Sequence, residues 1–323
     1  MEKVIWGVLS TARIGTQKVI PAMQRSPYCE IRAIASRSLE TAQQAARAVG
    51  IPRAYGSYEQ LLEDDEIQAV YNPLPNHLHV PWTLKALEAG KHVLCEKPIA
   101  LDAAEAQQLV DAARRFPYLV VMEAFMYRFH PQWLKAKQLV EEGEIGDLRA
   151  IDTVFSYYND NPSDVRNQAE IGGGGLLDIG CYPISLSRWL FQAEPQGVRA
   201  WMEIDPRFGI DRLTSAILEF PRGVATFTVS TQLFPYQRVQ IFGTSGRIEI
   251  EIPFNPPNDR PCRVWLKNAQ RSEEIHIPTC DHFRLQGEAF SKAVLEKKPA
   301  PTPLEDALAN MRVIDAVKAA ATG

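Results

Sequence analysis

The chain has 323 residues, of which 46% are hydrophobic and 23% are charged, and its formal net charge is -4 at pH 7. This length is sufficient for two hydrophobic cores, and the balance of apolar and charged residues excludes an intrinsically disordered chain. A net negative charge without a dense tract of Lys and Arg excludes a nucleic-acid groove or an anionic membrane surface as the main partner, and favours a small-molecule ligand.

The sequence shows neither a targeting segment nor a metal motif. Its first apolar run, VIWGVL, is shorter than a signal-peptide core, and no later stretch is long enough to cross a bilayer. The five cysteines are odd in number, widely spaced and without a CxxC pair, which favours reduced thiols over a disulfide framework or a zinc site. His77 and His79 have no further His or Cys in register. We therefore expect a cytoplasmic protein without a metal.

Between residues 3 and 122, strand-like apolar runs alternate with helical patterns. The runs are VIWGVLS, IRAIA, IQAVY, KHVLCE and YLVVME. Such alternation is typical of βαβ units on a parallel sheet. The helical segments LETAQQAARAVG and WTLKALEAG each end at a glycine, and Asp102 with Glu105 predicts an N-terminal cap for the next helix. We predict an N-terminal, doubly wound Rossmann domain over residues 1–123.

The pattern changes after residue 122. One helix, PQWLKAKQLVEEGEIG, leads into segments in which apolar and polar residues alternate, namely LRAIDTVFSYY, TSAILEF, GVATFTVSTQL, RVQIFG and GRIEIEI. This period of two predicts a large, mostly antiparallel open sheet with one covered face. A last helix, EDALANMRVIDAVKAA, can pack back on the first domain. We predict an α/β protein whose second, α+β domain spans residues 124–323.

The turn after the first strand is poor in glycine. A dinucleotide fingerprint, GxGxxG, places small residues between a strand and a helix, where the backbone meets the pyrophosphate. Here Ser10 and Ala12 replace the first two glycines, Gly15 supplies the third, and the hydroxyls of Ser10 and Thr11 could bond a phosphate. An ordinary strand-to-helix turn without a nucleotide fits the same residues.

The end of the second strand favours NADP over NAD. An NAD-binding unit has an acidic residue at this position for the ribose 2'-hydroxyl, whereas an Arg accommodates the 2'-phosphate of NADP. The strand IRAIA is followed by Ser36 and Arg37, without a carboxylate. A hydroxyl and a guanidinium together would hold a phosphate. The alternative is a solvated Arg after a strand.

The strand KHVLCE ends in Glu96, Lys97 and Pro98. Because an open α/β sheet binds its ligand at the carboxyl ends of its strands, we predict that Lys97 faces the cofactor. An ordinary surface ion pair of Glu96 and Lys97 is the alternative.

A run of four glycines, residues 172–175, precedes a predicted helix. On this helix Asp178 and Tyr182 are four residues apart and share one face. Consecutive glycines suggest close approach of the backbone to a ligand, so this segment is predicted to form a wall of the substrate site. The alternative is a flexible hinge before a helix with Tyr182 in its core.

The motifs together resemble a known family. In chain order they are VLSTARIG, ASRS, YNPLPNHLH, VLCEKP, MEAFMYRFHP, GGGGLLDIGCYP and FGTSGRIEI. This ensemble resembles the glucose-fructose oxidoreductase and inositol dehydrogenase family (Gfo/Idh/MocA), and within it the branch of dimeric dihydrodiol dehydrogenases and NADP-dependent D-xylose dehydrogenases. The resemblance implies a Rossmann domain and a second domain whose sheet mediates oligomerisation, so we expect a homodimer or a homotetramer. Inositol dehydrogenases have Asp and His where this chain has Asp178 and Tyr182, which disfavours inositol as substrate.

The resemblance also implies the site residues. The implied cofactor-binding residues line the pyrophosphate, the 2'-phosphate and the nicotinamide half: Ser10, Thr11, Ala12, Arg13, Ile14, Ser36, Arg37, Tyr71, Pro73, Leu74, Asn76, His77, Glu96, Lys97 and Arg166. Lys97 is at the position of the family's catalytic lysine. We predict that Tyr182 exchanges the substrate hydroxyl proton, that the Lys97 ammonium lowers the pKa of the phenol, and that Asp178 holds the substrate or the ammonium.

The predicted reaction is hydride transfer between NADP and a sugar or cyclic diol hydroxyl, as in an aldose 1-dehydrogenase of the D-xylose type or a dihydrodiol dehydrogenase. NADPH-dependent reduction of a keto sugar of the 1,5-anhydrofructose type is an alternative. Two others are disfavoured: an NAD-dependent glycosidase by Ser36 and Arg37, and a non-catalytic NADP-sensing regulator by the presence of all the predicted catalytic residues. The chain begins in its first strand, without the N-terminal arm of glucose-fructose oxidoreductase, so we expect NADP to exchange freely.

Overall fold

The computed structural model describes residues 2–322, and six parallel strands form its first sheet. Their bounds are β1 Val4–Leu9, β2 Cys29–Ala35, β3 Arg53–Tyr55, β4 Ala69–Asn72, β5 His92–Cys95 and β6 Val121–Glu123. The strand order is β3-β2-β1-β4-β5-β6, with every pair parallel. The order reverses between β1 and β4, where a doubly wound sheet opens its ligand crevice. The predicted Rossmann-type sheet is therefore confirmed.

Helices connect these strands. They are α1 Ile20–Gln24, α2 Leu39–Val49, α3 Tyr58–Leu62, α4 His79–Glu88 and α5 Ala103–Arg115, with a π-helical turn Gly15–Val19 before α1 and a 3-10 turn Asn76–Leu78 before α4. The cap predicted for α5 is present, because Asp102 Oδ1 accepts a hydrogen bond from the Glu105 amide at 2.8 Å. The helix α2 ends at Gly50 in the left-handed conformation, with φ of 69°. Local sequence signals thus place these helix ends.

Eight strands form the second sheet. They are β7 Leu148–Tyr158, β8 Gly197–Ile204, β9 Asp211–Phe220, β10 Gly223–Ser230, β11 Gln232–Gly243, β12 Gly246–Ile250, β13 Cys262–Asn268 and β14 Ser272–Ile277. The order is β14-β13-β12-β11-β7-β10-β9-β8, and the pair of β7 and β10 is parallel while the others are antiparallel. A mostly antiparallel sheet is therefore confirmed.

One face of the second sheet is covered and the other is open. The helices α6 Pro131–Glu141 and α7 Cys181–Phe191 contact the sheet, and inward-facing residues such as Leu218 and Ile241 are fully buried. On the opposite face Trp201 is 57% exposed and Ile217 is 41% exposed. This face matches the alternation that predicted an open sheet. Short 3-10 turns lie at Met126–Phe129, Val165–Asn167 and Ala169–Ile171.

The chain forms two compact units, and each combines two stretches of sequence. The first contains residues up to 126 and 282–308, and the second contains residues 127–281 and those from 309 onward. The helix α8 His282–Leu295 belongs to the first unit, where Trp6 Nε1 donates to Ser291 Oγ at 3.2 Å and the rings of Trp6 and Phe290 lie 5.0 Å apart. The last helix, α9 Leu304–Thr322, has residues in both units. Relative to the predicted boundary after residue 123, the first unit thus gains a C-terminal stretch.

Candidate active site

The glycine-poor turn after β1 uses a serine in a conformation that favours glycine. Ser10 has φ of 125°. Its amide donates to the Ala35 carbonyl at 3.0 Å, and its Oγ accepts from the Ala12 amide at 2.9 Å. The serine hydroxyl therefore stabilises a backbone shape that a first glycine would otherwise provide. Thr11 and Ala12 are half-buried, whereas Arg13 and Ile14 are exposed at the start of the helix.

The end of β2 leaves a guanidinium exposed. The Ser36 amide donates to the Tyr55 carbonyl at 3.1 Å, which fixes the strand end. Arg37 is exposed, and within residues 2–322 its side chain has neither a hydrogen bond nor an ion pair. This charge is available for an anionic ligand.

The loops after β4 and β5 are joined by buried polar contacts. Tyr71 donates from its hydroxyl to Glu96 Oε1 at 2.6 Å. The ring nitrogens of His79 lie 2.7 Å from the carbonyl oxygens of Leu74 and Pro98. Burial lowers the pKa of His79 to about 4, although the two carbonyl oxygens favour the protonated ring. His79 is thus a structural link between the two loops.

Within these loops the predicted residues occupy the carboxyl edge of the first sheet. Pro73 and Leu74 directly follow β4, Asn76 and His77 lie in the 3-10 turn before α4, and Lys97 follows β5 half-buried. The buried Nδ1 atom of His77 has no hydrogen-bond partner in the described part of the chain. The Lys97 amide donates to Glu96 Oε2 at 3.3 Å, so the backbone at Lys97 is held independently of its side chain.

The glycine run packs against the chain itself. A Cβ atom on Gly173 would lie 2.6 Å from the Arg166 carbonyl oxygen, and one on Gly174 would lie 2.1 Å from Asp211 Oδ1. The run is therefore required by neighbouring protein atoms, a reason that the sequence pattern could not reveal. It leads into a helix made of the π-helical turn Leu176–Gly180 and α7, which carries Asp178 and Tyr182.

Asp178 is held by two donors. Tyr157 donates from its hydroxyl to Asp178 Oδ2 at 2.5 Å, and Arg166 Nε donates to the same oxygen at 3.1 Å. Burial and the carboxylate raise the pKa of Tyr157, and the Asp178 carboxylate raises the pKa of Arg166. At neutral pH both groups are therefore protonated donors. Arg166 also bonds Asp164 Oδ1 at 3.3 Å.

Two aspects of this group differ from the sequence-based description. Tyr157 was not among the predicted site residues, although its place on β7, two residues after the inward-facing Phe155, marks it as facing the covered side. Arg166, predicted to bind the cofactor, belongs to the second unit and contacts Asp178. Its role in cofactor binding stays a prediction.

Tyr182 lies in an aromatic cluster. It is 4% exposed, and its ring centroid lies 5.1 Å from that of Phe254, 5.8 Å from Tyr127 and 5.9 Å from Phe155. Packing on three sides fixes the ring. Both the predicted role in proton transfer and the alternative role in the core fit this burial.

Comparison with known proteins places these units in one family. Residues 4–123 match the model of the oxidoreductase family with an NAD-binding Rossmann fold, and residues 133–249 match the GFO/IDH/MocA C-terminal domain. The chain is 39% identical to D-xylose 1-dehydrogenase (NADP(+)) 2 of Haloferax volcanii, over 99% of this chain and 98% of that one. It is 37% identical to trans-1,2-dihydrobenzene-1,2-diol dehydrogenase of Xenopus laevis, over 76% of this chain and 74% of that one.

A solved structure shows the same fold over the whole chain. It is KijD10, a 3-ketoreductase from Actinomadura kijaniata, in complex with NADP and TDP-benzene. The TM-score is 0.92 with 33% sequence identity, covering 98% of each chain. The chain therefore belongs to the Gfo/Idh/MocA family of oxidoreductases.

Proposed function

We propose that this protein transfers a hydride between NADP and a hydroxyl-bearing carbon of a sugar or cyclic diol, with an aldose of the D-xylose type as the first candidate and a dihydrodiol as the second. The observation that carries the proposal is the acid and phenol one helical turn apart, with the acid held by Tyr157 and Arg166. Such hydrogen-bonding groups suit a polyhydroxylated, uncharged substrate. The similarity to the D-xylose and dihydrodiol dehydrogenases supports these substrate classes.

The residues at the first sheet edge fit a dinucleotide. Ser10 shapes the turn after β1, where the strand order reverses. The exposed guanidinium of Arg37 has no ion pair within residues 2–322, and the buried Nδ1 atom of His77 has no hydrogen-bond partner there. We assign the pyrophosphate to Ser10, Thr11, Ala12, Arg13 and Ile14, the 2'-phosphate to Ser36 and Arg37, and the nicotinamide half to Tyr71, Pro73, Leu74, Asn76, His77, Glu96 and Lys97. NADP is the cofactor of this proposal, in agreement with the NADP-dependent relative and the NADP complex of KijD10.

Replacing Arg37 by Ala is expected to raise the KM for NADP on the order of tenfold to a hundredfold and to leave that for NAD nearly unchanged. A guanidinium that bonds the 2'-phosphate makes a charge-assisted contact that NAD cannot make. Steady-state kinetics with both cofactors measures the effect. Arg47→Ala, an exposed arginine in the last turn of α2, is the matched control. Equal effects of Arg37→Ala on the two cofactors would contradict the assignment.

The proposed mechanism separates hydride and proton. A nicotinamide held by the residues that follow β4 and β5 would supply the hydride chemistry in either direction. Tyr182 Oη exchanges the proton of the substrate hydroxyl, Asp178 orients the substrate through hydrogen bonds, and the Lys97 ammonium stabilises the charge that develops on oxygen. KijD10 has been solved as variants of one lysine and one tyrosine, whose separation along that chain is almost the same as that of Lys97 and Tyr182, which supports these two positions.

Replacing Tyr157 by Phe is expected to lower kcat/KM for the substrate on the order of tenfold, with the affinity for NADP unchanged. The substitution removes only the hydroxyl that donates to Asp178, so the carboxylate keeps its Arg166 contact but loses the shorter of these two hydrogen bonds. Tyr158→Phe is the matched control, because Tyr158 is the next residue along the strand and its side chain is 61% exposed. Similar kinetics of the two variants would show that Tyr157 has no part in orienting Asp178.

Substrate screening in both directions tests the function itself. NADP reduction is measured with D-xylose, D-glucose, other aldoses and cyclic trans-diols, with NAD in parallel, and NADPH oxidation is measured with keto sugars. Turnover of an aldose or a diol with NADP supports the proposal. Reduction of keto sugars without oxidation of an aldose or a diol would favour the reductase alternative. The similarity to the 3-ketoreductase KijD10 supports that alternative. NADP binding without turnover in either direction would favour a non-catalytic regulator.

We further propose a homodimer or homotetramer located in the cytoplasm. The open sheet face, with Trp201 and Ile217 exposed, supports assembly, because large apolar side chains on a sheet face favour a protein partner. The five free cysteines, four of them buried, support a reducing compartment. Light scattering of the purified protein measures the molar mass, and a monomer would contradict the first part.

A further inference from the structure

Asp211, the first residue of β9, is a buried acid to which the proposed mechanism gives no role. Its Oδ2 atom accepts a hydrogen bond from the Leu176 amide at 2.6 Å and another from Thr214 Oγ1 at 2.8 Å. Leu176 is the first residue of the helix that carries Asp178 and Tyr182. A distant strand therefore supplies the acceptor that an N–H group at the start of this helix requires.

The glycine run is shaped around this carboxylate. A Cβ atom on Gly174 would lie 2.1 Å from Asp211 Oδ1, and one on Gly175 would lie 3.3 Å from Asp211 Oδ2. Gly174 also has φ of 115°, where a side chain would strain the backbone. The acid and the glycines together set the point at which the helix begins.

We propose that Asp211 is a positioning residue, which holds the Leu176 amide and thereby sets where the helix places Asp178 and Tyr182. The inference rests on the proposed function, since it gives Asp211 a task in that reaction. The hydrogen bonds of Asp178 hold the middle of the helix through side chains, whereas the short Leu176–Asp211 hydrogen bond holds its backbone at the first residue.

The ionisation of Asp211 offers a readout that a purely structural acid would not give. Burial raises its pKa to about 6, while the Thr214 hydroxyl, the Leu176 amide and the Lys318 ammonium on α9 favour the ionised form. An ionised acceptor makes the stronger hydrogen bond. As the pH falls through about 6, protonation of Asp211 therefore loosens the start of the helix.

The experiment compares Asp211→Asn and Asp211→Ala with the wild type and with Asp205→Asn. Asp205 is the matched control, because it is also buried in the second unit and accepts hydrogen bonds from the Arg207 amide and from Gln232, neither of which is part of the helix. Three quantities are measured: hydrogen exchange of peptide 174–182, kcat and KM between pH 5 and 9, and the Kd for NADP. The Asn side chain has nearly the shape of Asp, so Asp211→Asn provides the test if Asp211→Ala does not fold.

We expect faster exchange of peptide 174–182 and a kcat lower on the order of tenfold in Asp211→Ala, with the Kd for NADP unchanged. In Asp211→Asn the decline of kcat near pH 6 should be absent. Asp205→Asn should lower the Tm without these effects. The inference would be overturned if both Asp211 variants had the hydrogen exchange and the kcat of the wild type. It would also be overturned if the fraction of unfolded protein accounted for the whole loss of kcat. Absence of turnover in the wild type would overturn the proposed function instead, while the exchange data would still decide whether Asp211 holds the helix.

Discussion

Replacing Lys97 by Met is expected to lower kcat about 10²- to 10⁴-fold while NADP still binds. Met has nearly the length of Lys but no charge, so the variant removes the ammonium and little else. The Lys97 amide bonds Glu96 Oε2, and Tyr71 holds the other oxygen of Glu96, so the loop after β5 has supports that do not depend on the lysine side chain. The loss should therefore appear in the chemical step.

The measurement pairs steady-state turnover with titration of NADP by calorimetry. Lys85→Met is the matched control, because Lys85 lies exposed on α4, where its ammonium bonds Glu59 and covers the ring of Trp82. Lys97→Arg keeps the positive charge but changes the shape of the charged group. A turnover between those of the wild type and Lys97→Met would show that the charge itself contributes to the reaction. Full turnover of Lys97→Met would refute a catalytic role for Lys97.

The fold could be predicted from sequence where hydrophobic periodicity was strong. Most of the first sheet is an example, since the strand Val4–Leu9 is apolar throughout and almost entirely buried. The short strand β3 of the first sheet and three strands of the second sheet, β8, β13 and β14, were not predicted. In β14 only Ile277 is buried, so the edge strand has no apolar alternation to read. Likewise, the association of α8 with the first unit depends on long-range packing that no local pattern encodes.

The candidate site shows the same division between local and distant information. The residues after β1, β2, β4 and β5 could be named from sequence, because the carboxyl ends of parallel strands meet at one edge. Tyr157 could have been found by extending the alternation of β7 to its end. The contact of Asp211 with Leu176 spans 35 residues and involves a backbone amide, for which the sequence carries no signal. The glycine run predicted a close approach of the backbone to a ligand, which stays a prediction, and the atoms that the structure places against the run include a carboxylate of the chain itself.

Replacing Tyr182 by Phe is expected to lower kcat about 10²- to 10⁴-fold, because it removes the hydroxyl that exchanges the substrate proton. Phe keeps the ring among Phe254, Tyr127 and Phe155, so the packing of the cluster should survive. Tyr127→Phe is the matched control, since it removes a hydroxyl of the same cluster that lies 2.8 Å from Ser185 Oγ. If both variants lose only stability, Tyr182 is a core residue, as the alternative interpretation of the sequence holds.

The pH dependence of kcat and the double variant Lys97→Met/Tyr182→Phe decide which group moves the proton. A phenol has an ordinary pKa of about 10, so it is a poor base at neutral pH unless a cation favours its ionised form. If Tyr182 is the base of the oxidation and the Lys97 charge assists it, kcat falls as the pH drops below the pKa of the phenol, and this acidic limb of the kcat profile should disappear in Tyr182→Phe. The double variant should then be hardly slower than the slower single variant, because both substitutions disable the same step. Multiplicative losses would instead assign Lys97 and Tyr182 to separate steps. An acidic limb that persists in Tyr182→Phe but not in Lys97→Met would identify Lys97 as the group that accepts the proton.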